Sequence, residues 1–253
     1  MAGLGIDMFV REHHRRIAKV LEAMNVEALS HAHCFFGGGT AIAMQLGEYR
    51  ESVDIDFLVR DEGGYRWLRN NLSENSLDAL FKAPPKLARN GFVRIDRDGI
   101  RAFLEADDGL PIKFEIVSEA RMPLSGGLVD GLPVPVLDRT SLFGEKLLAN
   151  ADRWYAPEVF SRDAIDLAHM MEAWGPIPQR AWDCAHAAYG ESVDTALRKA
   201  ACKLQGRKWL TACLSAMKVD RVRGQVAVGE FCKTFTSDCE ADAAGQPPGR
   251  PRG

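Results

Sequence analysis

Two stretches constrain this chain more than any other. One is Phe36-Gly37-Gly38-Gly39-Thr40. The other is Arg50-Glu51-Ser52-Val53-Asp54-Ile55-Asp56-Phe57-Leu58-Val59. Consecutive glycines allow a tight turn at a helix start, where unpaired N–H groups face an incoming anion. The second stretch reads as a strand. Side chains on a strand alternate, so Asp54 and Asp56 point to one face. Two carboxylates side by side repel unless a cation lies between them. A divalent metal beside a bound phosphate satisfies both signals and predicts a phosphoryl- or nucleotidyl-transfer site. Singly, each signal has a plainer reading. A Gly-Gly-Thr turn is common, and an Asp-x-Asp pair also fits a solvated strand edge.

The surrounding pattern is α+β. Residues from about Asp7 to Val26 carry Phe9, Val10, Ile17, Val20, Leu21 and Met24 at helical spacing. His33 to Phe36 predicts a short strand running into the glycines. Thr40 to Leu46 predicts a helix stopped by Gly47. Val53 to Val59 is the aspartate strand, and 61–82 predicts one or two helices. Phe92, Val93 and Ile95 then lead into the hairpin signal Asp96-Arg97-Asp98-Gly99. Ile100 to Glu105, the turn Asp107-Asp108-Gly109 and Pro111 to Ser118 complete a meander. Its last strand puts Lys113 and Glu115 on one face and Ile112, Phe114 and Ile116 on the other. Pro133-Val134-Pro135-Val136-Leu137 reads as an extended linker or an edge strand.

Asp138 is placed to cap a helix from Arg139. The pattern stays helical beyond it, broken at Ala156-Pro157 and Gly175-Pro176-Ile177-Pro178. The expected division is an α/β core over 1–137 and a helical domain over 138–239 completing the cleft. A Pro/Gly-rich tail over 240–253 cannot bury apolar surface and is expected to be disordered.

A net charge of −3 excludes a polybasic binder, so any nucleic-acid partner must meet a local patch. The six cysteines form no CxxC pair, which argues against a zinc site. Their scatter fits reduced thiols. No run approaches the roughly 20 apolar residues of a membrane span. With no leader pattern at the charged N-terminus, a cytoplasmic protein without membrane contact is expected.

Asp54, Asp56 and Glu115 form a candidate carboxylate triad. Oxygen ligands suit Mg²⁺, bound through a few carboxylates and substrate phosphates. Gly38 and Gly39 let backbone approach a triphosphate, and Thr40 adds a hydroxyl. Glu115 beside Lys113 also fits an exposed strand face. On the helix from Arg139, Lys146, Asn150 and Arg153 share a polar stripe. Asp163 and Asp166 follow at i and i+3, where like charges need a cation. Two readings stay open: a salt-bridge network between packed helices, or a cationic clamp for leaving phosphates. The six histidines show no metal-ligand spacing, and the tryptophans read as core or helix-contact residues. Arg198, Lys199, Lys203, Arg207, Lys208, Lys218, Arg221 and Arg223, opposed by Asp220, fit a solvated helix face or a phosphate-tracking surface for RNA.

Gly38-Gly39-Thr40-Ala41-Ile42-Ala43 with Arg50-x-Ser52-x-Asp54-Ile55-Asp56-Phe57 resembles the AbiEii/AbiGii toxin family of nucleotidyltransferases, within the DNA polymerase β superfamily. Phe143-Gly144-Glu145-Lys146-Leu147-Leu148-Ala149 with Arg153, and Arg162-Asp163-x-x-Asp166-Leu167, resemble its downstream motifs. The resemblance implies a polymerase β-like core, a mixed twisted sheet with flanking helices. It implies Mg²⁺-dependent transfer of a nucleoside monophosphate from a nucleoside triphosphate (NTP) to an acceptor, RNA such as tRNA or protein. It also implies a toxin of a toxin–antitoxin or phage-defence system, with a cognate antitoxin as partner. Asp54, Asp56 and Glu115 would hold metal. Gly38, Gly39, Thr40, Arg50, Ser52, Lys146 and Arg153 would bind nucleotide. Asp163 would be catalytic or structural. The chain departs from the wider superfamily in its Gly-Gly-Thr, where Gly-Ser is usual, and in Glu115, where aspartate is usual. A non-catalytic nucleotide-, RNA- or partner-binding member, and a small-molecule nucleotidyltransferase, are the alternative readings.

Overall fold

Alternating apolar side chains along short segments, joined by glycine and aspartate turns, build a sheet whose two faces both need covering. The computed structural model describes residues 8–73, 76–83, 87, 93–105 and 108–236. Helix α1 (Glu12–Glu22) buries Ile17, Ala18, Val20 and Leu21. Asn25 caps α2 (Val26–His31), its Oδ1 accepting from the Ala28 amide at 3.2 Å. Strand β1 (Cys34–Phe36) runs into the glycine turn, and α3 (Gly38–Gln45) starts there. Strand β2 (Ile55–Val59) follows, then α4 (Glu62–Asn71), capped by Asp61.

The meander comprises β3 (Arg94–Ile95), β4 (Gly99–Glu105) and β5 (Pro111–Ser118), followed by the hairpin β6 (Gly126–Val129) and β7 (Leu132–Leu137). The described strands form one mixed seven-stranded sheet in the order β3-β4-β5-β2-β1-β7-β6. The central pairs β2–β5 and β1–β7 are parallel, whereas β1–β2 is antiparallel.

The C-terminal segment is helical throughout: α5 (Arg139–Arg153), α6 (Arg162–Trp174), α7 (Gln179–Tyr189), α8 (Ser192–Leu204), α9 (Arg207–Ala216) and α10 (Arg221–Thr236). The Asp138 carboxylate accepts from the Ser141 amide at 2.7 Å and starts α5. One core joins α1, α2, α4 and one set of strand residues, among them Phe36, Phe57 and Phe114. The other joins Phe35, Ile42, Leu58 and Leu137 to the apolar stripes of α5, α6 and α8. This second core includes residues from both sides of Leu137, so sheet and helices share buried surface directly.

Pro133–Leu137 is neither a linker nor an edge strand. It lies inside β7, between β1 and β6. Proline donates no ladder hydrogen bond. The β6–β7 ladder accordingly breaks register between Gly127 and Val129, facing the prolines. The long N-terminal helix is shorter than its periodicity suggests, because Asn25 starts a second helix. The aspartate strand begins at Ile55, leaving Asp54 one residue before it. The expected residues Asp7, Phe92 and Asp107, Cys239, and the expected disordered tail over 240–253, lie outside the described residues. No helix among the described residues is long and apolar enough to cross a membrane.

Candidate active site

The glycine turn is shaped by what lies against it. Gly38 has φ +64°, in the left-handed region. A Cβ there would lie 2.5 Å from Asp56 Oδ2, and one on Gly39 would lie 1.9 Å from an Arg50 guanidinium nitrogen. Both positions therefore leave room only for hydrogen. The Gly37 amide donates to the Asp56 carbonyl at 2.9 Å and ties the turn to β2.

Thr40 lies beneath the turn, fully buried. Its hydroxyl donates to the Asp54 carbonyl at 2.6 Å and lies 2.8 Å from Ser52 Oγ. It fixes the backbone that carries Asp54 and is not on the cavity wall. The loop before Asp54 is gripped from two sides, by residues at the start of α1 and by Lys218 between α9 and α10. His14 Nε2 accepts from the Ser52 amide at 3.2 Å, while its Nδ1 meets Glu48 Oε1 at 2.9 Å. Arg11 donates to the Glu48 carbonyl at 3.0 Å and to the Lys218 carbonyl at 2.8 Å. Lys218 in turn pairs with Glu51 at 2.7 Å.

A cavity of about 290 Å³ opens above the turn. Gly38, Gly39, Asp54, Asp56 and Glu115 form one side, with Arg50 and Ser52 nearby. Lys146, Arg153 and Arg162 face them from the helices. Every residue expected to bind metal or nucleotide lines this space except Thr40. Asp56 and Glu115 are register partners across the parallel β2–β5 pair. Their electrostatic settings differ. Burial, reinforced by Asp54, pushes the Asp56 carboxyl above its ordinary range. Burial acts on Glu115 in the same direction, but Lys113 and Arg101 outweigh it and hold Glu115 below its ordinary range. Arg101 Nε donates to Glu115 Oε1 at 2.7 Å, and Lys113 pairs with Oε2.

A divalent ion fits the Asp54–Asp56 pair. The donors are hard oxygens, and Asp56 is a confined carboxyl with another acid beside it. Glu115 has already given both oxygens to cations. Among the described residues no group of three or more His, Cys, Asp or Glu is arranged to hold an ion. The triad anticipated from sequence thus stands as a pair of acids beside a third that is clamped.

The helical wall is one connected ion network. Lys146 Nζ reaches Asp163 Oδ1 at 2.9 Å and Asp166 Oδ2 at 2.6 Å. Arg153 grips Asp163 through Nε at 2.7 Å and a terminal nitrogen at 2.9 Å. Arg50 grips Asp166 through Nε at 2.6 Å and a terminal nitrogen at 3.0 Å. The Tyr49 hydroxyl donates to the same carboxylate. Burial would raise both aspartates, but the cations outweigh it and hold both low. The two readings left open by sequence are therefore not exclusive. The network is structural, and its cations Lys146 and Arg153 also face the cavity.

Sequence reasoning missed Glu119 and Arg121 on the cavity wall, and it quoted Glu145 and Arg162 only as motif residues without giving them a role there. Glu119 continues the period-two face of Glu115 and Val117, a signal that was available. It takes a bidentate grip from Arg121, whose Nε lies at 3.0 and 3.1 Å from its two oxygens. Glu145 sits beside it with a buried Oε1 that has no hydrogen-bond partner. Burial and the neighbouring Glu119 push the Glu145 carboxyl well up.

The fold has a solved counterpart, and two more distant structures share part of it in weaker form. JHP933 from Helicobacter pylori is 15% identical, with a TM-score of 0.50 over 92% of this chain and 94% of that one. A second Helicobacter pylori chain is 14% identical, with a TM-score of 0.49 over 90% and 95% of the two chains. An antigenic nucleotidyltransferase-like protein from Paracoccidioides brasiliensis is 17% identical, with a TM-score of 0.44 over 79% and 93%. At these identities the first likeness speaks to fold alone. No curated protein matches the chain. Residues 19–222 match the family described as nucleotidyl transferase AbiEii toxin, type IV toxin–antitoxin system. With most of its length matched, the chain belongs to the AbiEii family of nucleotidyltransferase toxins.

Proposed function

We propose that this protein transfers a nucleoside monophosphate from an NTP to an acceptor hydroxyl, on RNA such as tRNA or on protein. The observation that carries the reading is an acidic pair, Asp54 and Asp56, against the Gly38–Gly39 turn with Lys146 and Arg153 across the same cavity. Asp54 and Asp56 would hold Mg²⁺, which supplies Lewis-acid stabilisation of charge on the reacting phosphate. The first amides of α3 have no carbonyl within the helix to bond and can donate to phosphate oxygens. Lys146, Arg153 and Arg162 oppose the charge of the triphosphate from the other wall. The acceptor oxygen bonds to the α-phosphorus, the bond to the β-phosphate oxygen breaks, and pyrophosphate leaves. The acceptor proton passes to solvent. Thr40 and Ser52 hold the backbone of Asp54 in place, and Asp163 and Asp166 hold the cations.

The family's type IV toxin–antitoxin setting supports a cognate antitoxin as partner. The test is incubation of purified protein with labelled NTPs, Mg²⁺, and total RNA or total protein. Label appears on one acceptor class with wild type and is lost with Asp54→Ala or Asp56→Ala. Equal labelling by those variants, or none by wild type, overturns the reading.

A further inference from the structure

Helix α10 packs one face on α6, α8 and α9, burying Gly224, Ala227, Val228, Phe231 and Cys232. The opposite face carries Val222, Val226, Gly229 and Lys233, spaced by four, three and four residues. That spacing is the seam pattern of two packed helices. The seam is open to solvent: Val222 is 71% exposed and Val226 is 56% exposed. A groove of about 500 Å³ adjoins it, lined by Gly229 and Lys233 together with Leu204, Leu210 and Val228.

The two glycines of α10 differ. A Cβ on Gly224 would lie 2.6 Å from Leu214 Cδ2, so packing within the chain accounts for that glycine. A Cβ on Gly229 would meet nothing within 4 Å among the described residues. A glycine inside a helix costs about 1 kcal/mol relative to alanine. No described neighbour in the chain requires Gly229. Its effect is a gap in the exposed seam, where another side chain can approach the backbone closely.

We propose that two copies of this chain pair through antiparallel α10 helices. The inference is independent of the nucleotidyl-transfer reading. With the helices opposed, Val226 of one copy packs over Gly229 of the other, and Val222 meets the aliphatic stem of Lys233 beside the groove. A two-fold axis makes each contact twice. Arg223 of one copy then stands beside the seam across from Glu230 of the other, giving two opposite-charge pairs. A parallel arrangement would set Lys233 against Lys233 and Gly229 against Gly229, a like-charge layer and an empty one. One stripe thus supplies both knob and gap, and both signs of charge in matching register, so a second copy is the occupant it fits. Within one copy Glu230 already pairs with Lys233 at 2.6 Å, and Arg223 lies 4.0 Å from Glu172 and donates to the Leu46 carbonyl at 3.2 Å. The charges across the seam therefore set direction more than strength. A single helix of 16 residues offers a small contact, so the pair belongs at the weak end of protein interfaces.

The test is sedimentation velocity of the full-length protein from about 1 to 200 μM, the range in which a weak pair forms. The expected result is a monomer–dimer equilibrium with dimer prominent at the upper end. Val226→Glu weakens association about tenfold or more, because it sets a charge into an apolar contact. Gly229→Leu weakens it about tenfold or more as well, by filling the gap, yet melts at or above the wild-type temperature because leucine favours the helix. A role for Gly229 inside the monomer would give the reverse, a lower melting temperature with association intact. Glu230→Arg weakens pairing, and adding Arg223→Glu restores it. Thermal melts confirm that each variant folds. A monomer across the whole range overturns the proposal. So does a dimer that Val226→Glu and Gly229→Leu leave intact, or a charge-swapped double variant no better paired than Glu230→Arg alone.

Discussion

Asp56 and Glu115 are direct neighbours across the β2–β5 pair, yet their carboxyls are driven in opposite directions. Glu115 is neutralised by Arg101 and Lys113. Asp56 has Asp54 beside it. On the proposed reading a divalent ion would take the Asp54–Asp56 pair and leave Glu115 to its cations. Asp54→Asn and Asp56→Asn should each lower Mg²⁺ affinity about tenfold or more, while Glu115→Gln changes it less than about threefold. Titration calorimetry with Mg²⁺ reads all three. Loss of binding in Glu115→Gln would restore it as a ligand.

Gly38→Ala meets two obstacles at once. Its left-handed φ costs about 1 kcal/mol or more for any side chain. The new Cβ also lies 2.5 Å from Asp56 Oδ2 and must displace that carboxylate. The expected result is a loss of about 2 kcal/mol or more in a urea melt, with transfer activity abolished. Gly47→Ala serves as the control, because its φ is +68° but nothing lies within 4 Å of the added carbon. It should lose stability and keep activity.

Asp166 is the hub of the buried network, holding Arg50, Lys146 and the Tyr49 hydroxyl. Asp166→Asn leaves two buried cations short of a counter-charge. Breaking a buried pair from one side costs about 3–5 kcal/mol. Asp163→Asn affects a site whose partner Arg153 is partly exposed, so the loss should be smaller. Guanidinium melts of the two variants would show the order, and a reversed order would mean that Asp163 is the anchor.

His14 and Glu145 should bend the pH–stability curve in opposite directions. Burial lowers the His14 pKa below its ordinary 6.5, although Glu48 opposes it. The native state thus favours neutral His14, with Nε2 accepting from Ser52. Its contribution is complete above pH 6.5 and is lost as pH falls from there through the lowered native value. Burial and Glu119 raise Glu145 above its ordinary 4.5. Its penalty is absent below pH 4.5 and grows as pH rises toward the raised native value. Relative to wild type, His14→Gln should lose the acid-side decline, and Glu145→Gln should gain stability toward neutral pH. Chemical melts between pH 5 and 8 compare the three curves.

The features legible in the sequence were those set by local rules. Alternation placed Glu115 opposite Ile112 and Phe114. Asp138 announced α5, and the glycines announced the turn. What stayed hidden depends on long-range packing. Thr40 looked like a phosphate ligand because it follows the glycines. Only the fold turns its hydroxyl toward Asp54. Pro133 and Pro135 argue against an interior strand by any local rule. The irregular β6–β7 ladder removes the objection, and no local pattern encodes that pairing. Arg50 resembled a nucleotide contact, and nothing near it in sequence announces Asp166.

The loop that presents Ser52 and Asp54 is held by Arg11 and His14 on one side and by Lys218 on the other. A growing chain gains the residues of the first hold before the aspartates and Lys218 long after them. The bracing of the aspartate loop is therefore incomplete on the ribosome until Lys218 has emerged. A chain ending before Lys218 would retain both aspartates and the Arg11 and His14 contacts yet lose the Lys218–Glu51 pair that braces the loop from the helical side.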